Sequence, residues 1–201
     1  MDEEKKSGIV ALIIVLVVFI ASGIYVYKSL NQGKYTYQSS VTGEEFRVEQ
    51  MSPVGYAVLA HIKDQPYLFK LRYDPKSVEN ITITKDIKNN ILNKKSIYIT
   101  VDPKSSSVPV IGAIEISEII SRKLGIFNKE TVGATTEYAN NYTAVATCDN
   151  VTDEIGVIWL KLGPETRVFS ENGCILVQGE NEWEIVRAAD RLIYQMLTIM
   201  E

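Results

Sequence analysis

Histidine is almost missing from this chain: His61 stands alone among 201 residues, beside only two cysteines, Cys148 and Cys174. A serine or cysteine nucleophile needs a base at its side, and His61 sits inside an alternating strand pattern with no fixed relation to either cysteine. A histidine-based triad is therefore not expected. Zinc is not expected either, because one histidine and two well-separated cysteines match no ligand spacing. Glycines are few and scattered; Gly112, Gly125 and Gly133 are isolated and no GxxxxGK run occurs, so neither a phosphate loop nor a nucleotide cofactor is indicated. Basic clusters are missing too. Lys and Arg number 21 against 25 Asp and Glu, and Asn93-Lys94-Lys95 is too short a stretch to track a phosphate backbone, so no nucleic-acid partner is expected.

What is present begins with a segment that lacks charge altogether. Gly8 to Tyr27, GIVALIIVLVVFIASGIYVY, is twenty residues long, enough at about 1.5 Å per residue to cross the roughly 30 Å hydrocarbon core of a bilayer. A charged tail (1–7) precedes it, Tyr25 and Tyr27 fall where an interfacial aromatic belt would lie, and Lys28 ends it. The expectation is a single transmembrane anchor with the lipid bilayer as its partner. Ala21-Ser22-Gly23 offers a signal-peptidase cut, yet the apolar run continues through Tyr27, longer than the usual signal core of about 7 to 15 residues. Lys5-Lys6-Ser7-Gly8 allows a pilin-like leader, with the basic residue one place too far from the glycine.

Lys5 and Lys6 before the run are matched by Lys28, Lys34 and Arg47 after it, so positive charge does not set the orientation. The cysteines favour the outside: an even pair in a tethered domain reads as a disulfide formed in an oxidising compartment. Asn80, Asn141 and Asn150 each open a glycosylation acceptor triplet, which points weakly the same way.

Residues 28–45 are polar and short of aliphatics and read as a stalk, leaving 46–201 as one extracytoplasmic domain of ordinary size. Tyr56–Ile62 and Tyr67–Tyr73 read as a hairpin across a four-residue loop, and Asp86–Leu92 as a short helix. Ser96–Val101 reads as a core strand feeding an amphipathic helix, Val108–Leu124, with Gly112, Ala113, Ile116, Ile119 and Ile120 inward and Glu115, Glu118 and Arg122 outward. Phe127–Tyr142 is read as the largest loop. Ala144–Cys148 is a short strand, and Val157–Leu162, Thr166–Phe169 and Cys174–Gln178 follow as an antiparallel meander. A last helix, Glu182–Met200, capped by Asn181, carries Glu184, Arg187, Arg191 and Gln195 on its outer face, with Trp183 packed on its first turn. The fold class is α/β, a mixed α+β sheet with helices packed on it, plus the anchor. Cys148 and Cys174 cannot bridge between neighbouring parallel strands in register, so their strands should run antiparallel or meet end to end.

If the strands before the two helices are parallel, their carboxyl ends share one sheet edge, where open α/β sheets bind ligands. That gathers Asp102, Lys104, Ser105, Ser106 and Ser107 with Gly179, Glu180 and Asn181 beside two helix N-termini that attract anions. The plainer reading makes the serines caps, Asp102-Pro103 a turn and Gly179 a tight bend. Asp149, Asp153 and Glu154 form an acidic turn without the glycine and terminal glutamate of a calcium loop, so no metal is expected.

The anchor, the run Ile97-Tyr98-Ile99-Thr100-Val101-Asp102-Pro103, and Cys174-Ile175-Leu176-Val177-Gln178-Gly179 leading to Ala188-Ala189-Asp190-Arg191-Leu192-Ile193-Tyr194 resemble uncharacterised archaeal single-pass membrane-anchored envelope proteins. The resemblance implies a cell-envelope setting and no activity. The expected function is a non-catalytic interaction or assembly module that meets an envelope protein. The alternatives are a filament subunit of pilin type and a carboxylate-based hydrolase using Asp102 and Glu180 as acid and base.

Overall fold

The computed structural model describes residues 2–201 except 32, 52, 54, 63, 64, 125 and 140–142; of residues 2–12 and 28–31 the backbone alone is described. The chain divides into two units, Met1–Tyr35 and Thr36–Glu201. The first is helix α1 (Asp2–Asn31) and the start of strand β1. The described side chains of α1 run from 13 to 27 and are exposed, Ile13 through Ile20 among them. Among the described residues, no helix is long and apolar enough to cross a membrane. The expected span, Gly8 to Tyr27, begins ahead of the described side chains.

The second unit is a mixed α+β fold. Strands β1 (Lys34–Gln38), β2 (Glu45–Gln50), β3 (Tyr56–Ile62) and β4 (Gln65–Leu71) form one sheet in that order. Part of the segment expected as a stalk thus pairs into this sheet: Tyr37 is buried, and the Ser39 hydroxyl accepts from the Val41 and Thr42 amides to close the turn toward β2. The β3–β4 hairpin is present, but Ile62 pairs with Gln65 and His61 with Pro66, so Gln65 and Pro66 of the expected four-residue loop belong to β4. Pro66 stands within β4, tolerated because β4 is an edge strand of its sheet.

After helix α2 (Pro75–Val78), strand β5 (Thr82–Ile83) and helix α3 (Ile87–Leu92) comes the larger sheet. It adds β6 (Ser96–Val101), β7 (Glu130–Thr135), β8 (Ala144–Val145), β9 (Ile155–Leu162), β10 (Arg167–Glu171) and β11 (Cys174–Gly179), in the order β5-β10-β11-β9-β6-β7-β8. From β11 to β8 the strands are parallel; β10 runs antiparallel to β11. Helix α4 (Val108–Ile120) crosses from β6 to its neighbour β7, and α5 (Glu182–Met196) follows β11. Both pack on one face, over Ile97, Ile99, Ile158, Leu160, Ile175 and Val177, which alternation places together. The helices approach closely at Gly112, where a Cβ would lie 2.8 Å from Ala189 Cβ.

Several expectations need correction. Phe127–Tyr142 is not a loop throughout, because β7 lies inside it; its sequence, with Gly133 and three threonines, has β propensity but too little apolar character to announce a buried strand. The meander does not form: β11 inserts beside β9, and β10 is displaced outward as its partner. β11 is buried at every position, so it takes the central place that two covered faces demand. Helix α4 stops at Ile120 and α5 at Met196, each short of the expected end. Arg191 and Gln195, expected on the outer face of α5, are buried, whereas Trp183 is 49% exposed and not packed down.

Candidate functional site

The two loops expected to form a site do meet at one sheet edge, since β6 and β11 are parallel to β9 between them. Their polar groups are largely consumed internally. Asp102 Oδ1 accepts from the Lys104 amide at 2.8 Å, and the Lys104 ammonium pairs with Glu137 at 2.7 Å, which raises its pKa. The Ser105 amide donates to Asp102 O at 3.0 Å. Ser106 gives both its amide, at 2.9 Å, and its hydroxyl to Glu182, while its Oγ accepts from the Val108 amide. The Glu182 carboxylate is held below its usual range by those Ser106 bonds. Ser107 is the N-cap residue of α4 without a side-chain cap bond.

On the other loop, Asn181 Oδ1 accepts from the Trp183 and Glu184 amides at 3.0 and 3.1 Å, the expected cap. The Glu180 amide reaches Thr166 Oγ1 at 3.5 Å. Gly179 serves close packing, because a Cβ there would stand 2.2 Å from the Ile185 nitrogen. The anion that these helix starts attract is thus supplied by the protein itself, as the carboxylate of Glu182 next to Ser106.

Other sequence candidates disperse. His61 lies on β3, exposed, as a strand residue. Asn80 Oδ1 accepts from Arg187 at 2.9 Å, Asn150 Oδ1 accepts from the Thr147 amide at 2.8 Å, and Asn141 lies outside the described residues. Glu154 of the acidic turn pairs with Lys95, and among the described residues no cluster of metal-ligating side chains occurs. Cys148 and Cys174 are bonded, with Cα atoms 5.3 Å apart. The geometry differs from both arrangements expected: Cys148 opens a short 3₁₀ turn, Cys148–Asn150, beyond β8, on the connection that returns to the start of β9. There Cys148, like Val151, Tyr98, Trp159 and Phe169, packs against Val157, Cys174 and Leu176, on the face of the sheet that α4 and α5 leave free.

Two features escape a linear reading. The first is a buried carboxyl pair. Glu115 of α4, expected to face solvent, turns inward to Asp190 of α5, which is wholly buried. Asp190 Oδ2 accepts from the Tyr73 amide at 2.7 Å, and Glu115 Oε1 lies 3.4 Å from Arg72 Nε. Glu115 Oε2 and Asp190 Oδ1 are buried and accept from no described residue, so a proton on one carboxyl is what can join it to the other. Burial pushes Glu115 up to about 7, against the pull of Asp190 and Arg72. Asp190 is raised well above the carboxylate range by burial and then by Glu115. The Tyr194 hydroxyl donates to Tyr73 O at 2.8 Å alongside, so the pair sits where α4, α5 and the end of β4 meet. The sequence signal exists: Ile111-Glu115-Ile119 and Val186-Asp190-Tyr194 each set a carboxylate inside an apolar row of four-residue spacing.

The second is an apolar groove of about 390 Å³ between α4 and β7, walled by Val110, Ala113 and Ile114 and floored by Ile99, Val101 and Gly133. A Cβ at Gly133 would meet nothing within 4 Å, so the absent side chain leaves the floor open. The groove exists because the connection from β7 to β8 carries no helix among the described residues. No family model, no curated protein and no solved structure matches this chain.

Proposed function

We propose that this chain is a membrane-anchored, extracytoplasmic interaction or assembly module of the cell envelope. The observation that carries the reading is the twenty-residue uncharged run Gly8 to Tyr27, set within a continuous helix, Asp2–Asn31. A helix that is apolar all round has no polar face to give to water and suits a lipid or protein surround. The Cys148–Cys174 bond supports an oxidising compartment for the folded unit.

Binding rather than catalysis is supported by what the polar groups do. Asp102, Ser106 and Asn181 are engaged in turns and caps, and the Asp190 carboxyl of the carboxylate pair is closed to solvent. The groove along α4, with Ile114 55% exposed at its wall, is the apolar concavity through which the module meets its partner. Protease treatment of intact cells tests the topology: the Thr36–Glu201 unit should be digested from outside while a fragment containing α1 stays in the alkali-washed membrane. A unit shielded from external protease, or a chain recovered in the soluble fraction, ends the proposal.

A further inference from the structure

At the opposite, amino-terminal edge of the parallel strands lies a polar cleft of about 680 Å³, framed by the starts of β6, β7 and β9. That is room for on the order of twenty waters, so the cleft is a solvated recess and not a packing defect. Its charge runs against the chain's net −4: Lys94, Lys95, Arg122 and Lys129 face it with only Glu130 and Glu154 as carboxylates. Glu154 is taken by Lys95, and Glu130 accepts from the Ser96 hydroxyl at 3.3 Å. Among the described residues no carboxylate pairs with the other three cations. The Lys94 ammonium donates to Thr152 O, and the Lys129 ammonium donates to Leu92 O and, at 2.7 Å, to Lys94 O. An ammonium has three donors, so Lys129 is held in place by two carbonyls and keeps one for a ligand. Arg122, just past the end of α4, is exposed and pairs with no described residue.

The recess is also shaped locally. Gly156 lets the Lys94 stem cross the start of β9, where a Cβ would come to 3.0 Å from Lys94 Cγ. Asn128 turns the chain into β7 with φ of 55°. The fold thus brings Arg122 and Lys129 beside the Lys94-Lys95 pair, which is too small in sequence to attract an anion alone.

We infer that this cleft binds a small phosphate-bearing anion, with Arg122 and Lys129 as its principal contacts and Lys94 at its wall. A guanidinium takes phosphate oxygens through paired N–H donors, and a fixed ammonium supplies a point charge. A lipid head group and a soluble phosphate ester share this chemistry. The inference does not rest on the membrane reading, since a soluble chain would carry the same cleft.

The test is calorimetric titration of the full chain, in micelles of a neutral detergent, with inorganic pyrophosphate at low and high salt. Saturable one-to-one binding is expected, weakened by salt and lowered about tenfold by Arg122→Gln, the loss of one charged hydrogen-bonding group. Arg122 is exposed and pairs with no described residue, so this variant keeps the fold, which a thermal melt checks; adding Lys129→Met should abolish binding. Repeating the titration in phosphatidylcholine nanodiscs with and without phosphatidylglycerol separates the sources. Competition by the anionic lipid that Arg122→Gln removes assigns a head group, and unchanged affinity assigns a soluble ester. Absence of saturable binding, or equal affinity in the wild type and Arg122→Gln, overturns the inference.

Discussion

Replacing Glu115 by Gln should remove one part, about 3 kcal/mol, of the stability that the wild type loses between about pH 5 and 8, leaving the part that comes from buried Asp190. Glu115 rises from its ordinary 4.5 to about 7 in the folded state, chiefly through burial beside Asp190. A raised carboxyl keeps its proton folded and releases it unfolded, so the stabilisation is complete below about 4.5 and is lost as pH climbs through about 7. A shift of that size corresponds to about 3 kcal/mol across the window. Asp190 is raised in the same direction, and because the two carboxyls are in hydrogen-bond contact they titrate as a pair. Glutamine preserves the shape, has N–H donors to offer Asp190 Oδ1, and does not titrate. Urea unfolding of the full chain in neutral detergent at pH 5 and pH 8 measures this. With a slope of about 2 kcal/mol per molar, the variant's midpoint should fall by about 1 to 2 M less than the wild type's. Equal falls in the two proteins would refute the raised Glu115 carboxyl, whatever their absolute stabilities.

Two glycines should respond with opposite signs. Gly133→Ala, in a strand with open space at its Cβ, should stabilise by about 0.5 kcal/mol, whereas Gly179→Ala, aimed at the Ile185 nitrogen, should cost about 2 to 3 kcal/mol or more; thermal melts distinguish them. Reducing the Cys148–Cys174 bond, which spans 26 residues, should lower stability by about 3 kcal/mol, and an unmoved denaturation midpoint under reductant would count against it. Arg187→Ala should loosen α2 from α5, because Arg187 reaches Ser77 O and Asn80 Oδ1 across that contact; faster amide exchange confined to 74–81 is the expected readout.

Local pattern and distant contact divide the outcome between them. Ser96–Val101, α3, the β3–β4 hairpin and the Asn181 cap were legible because alternation, helical spacing and capping chemistry act within a few residues. The cysteine pair was legible as chemistry but not as geometry, since Cys148 meets Cys174 only where a connection lies back across the sheet. The strand order was not legible either: β10 and β11 carry the same hairpin signal whether or not β11 takes the place beside β9.

The sequence by itself determined the uncharged run Gly8 to Tyr27, the mixed α+β content and the paucity of groups for nucleophilic or zinc chemistry, because composition and short-range periodicity need no partner to be read. Tertiary structure alone decided that Glu115 faces Asp190, that Gly133 floors a groove, and that Arg122 and Lys129 join Lys94 in one cleft. The physical reason is that burial and electrostatic environment belong to pairs of residues distant in the chain, and only the packing of α4 and α5 on a parallel sheet brings those pairs within reach.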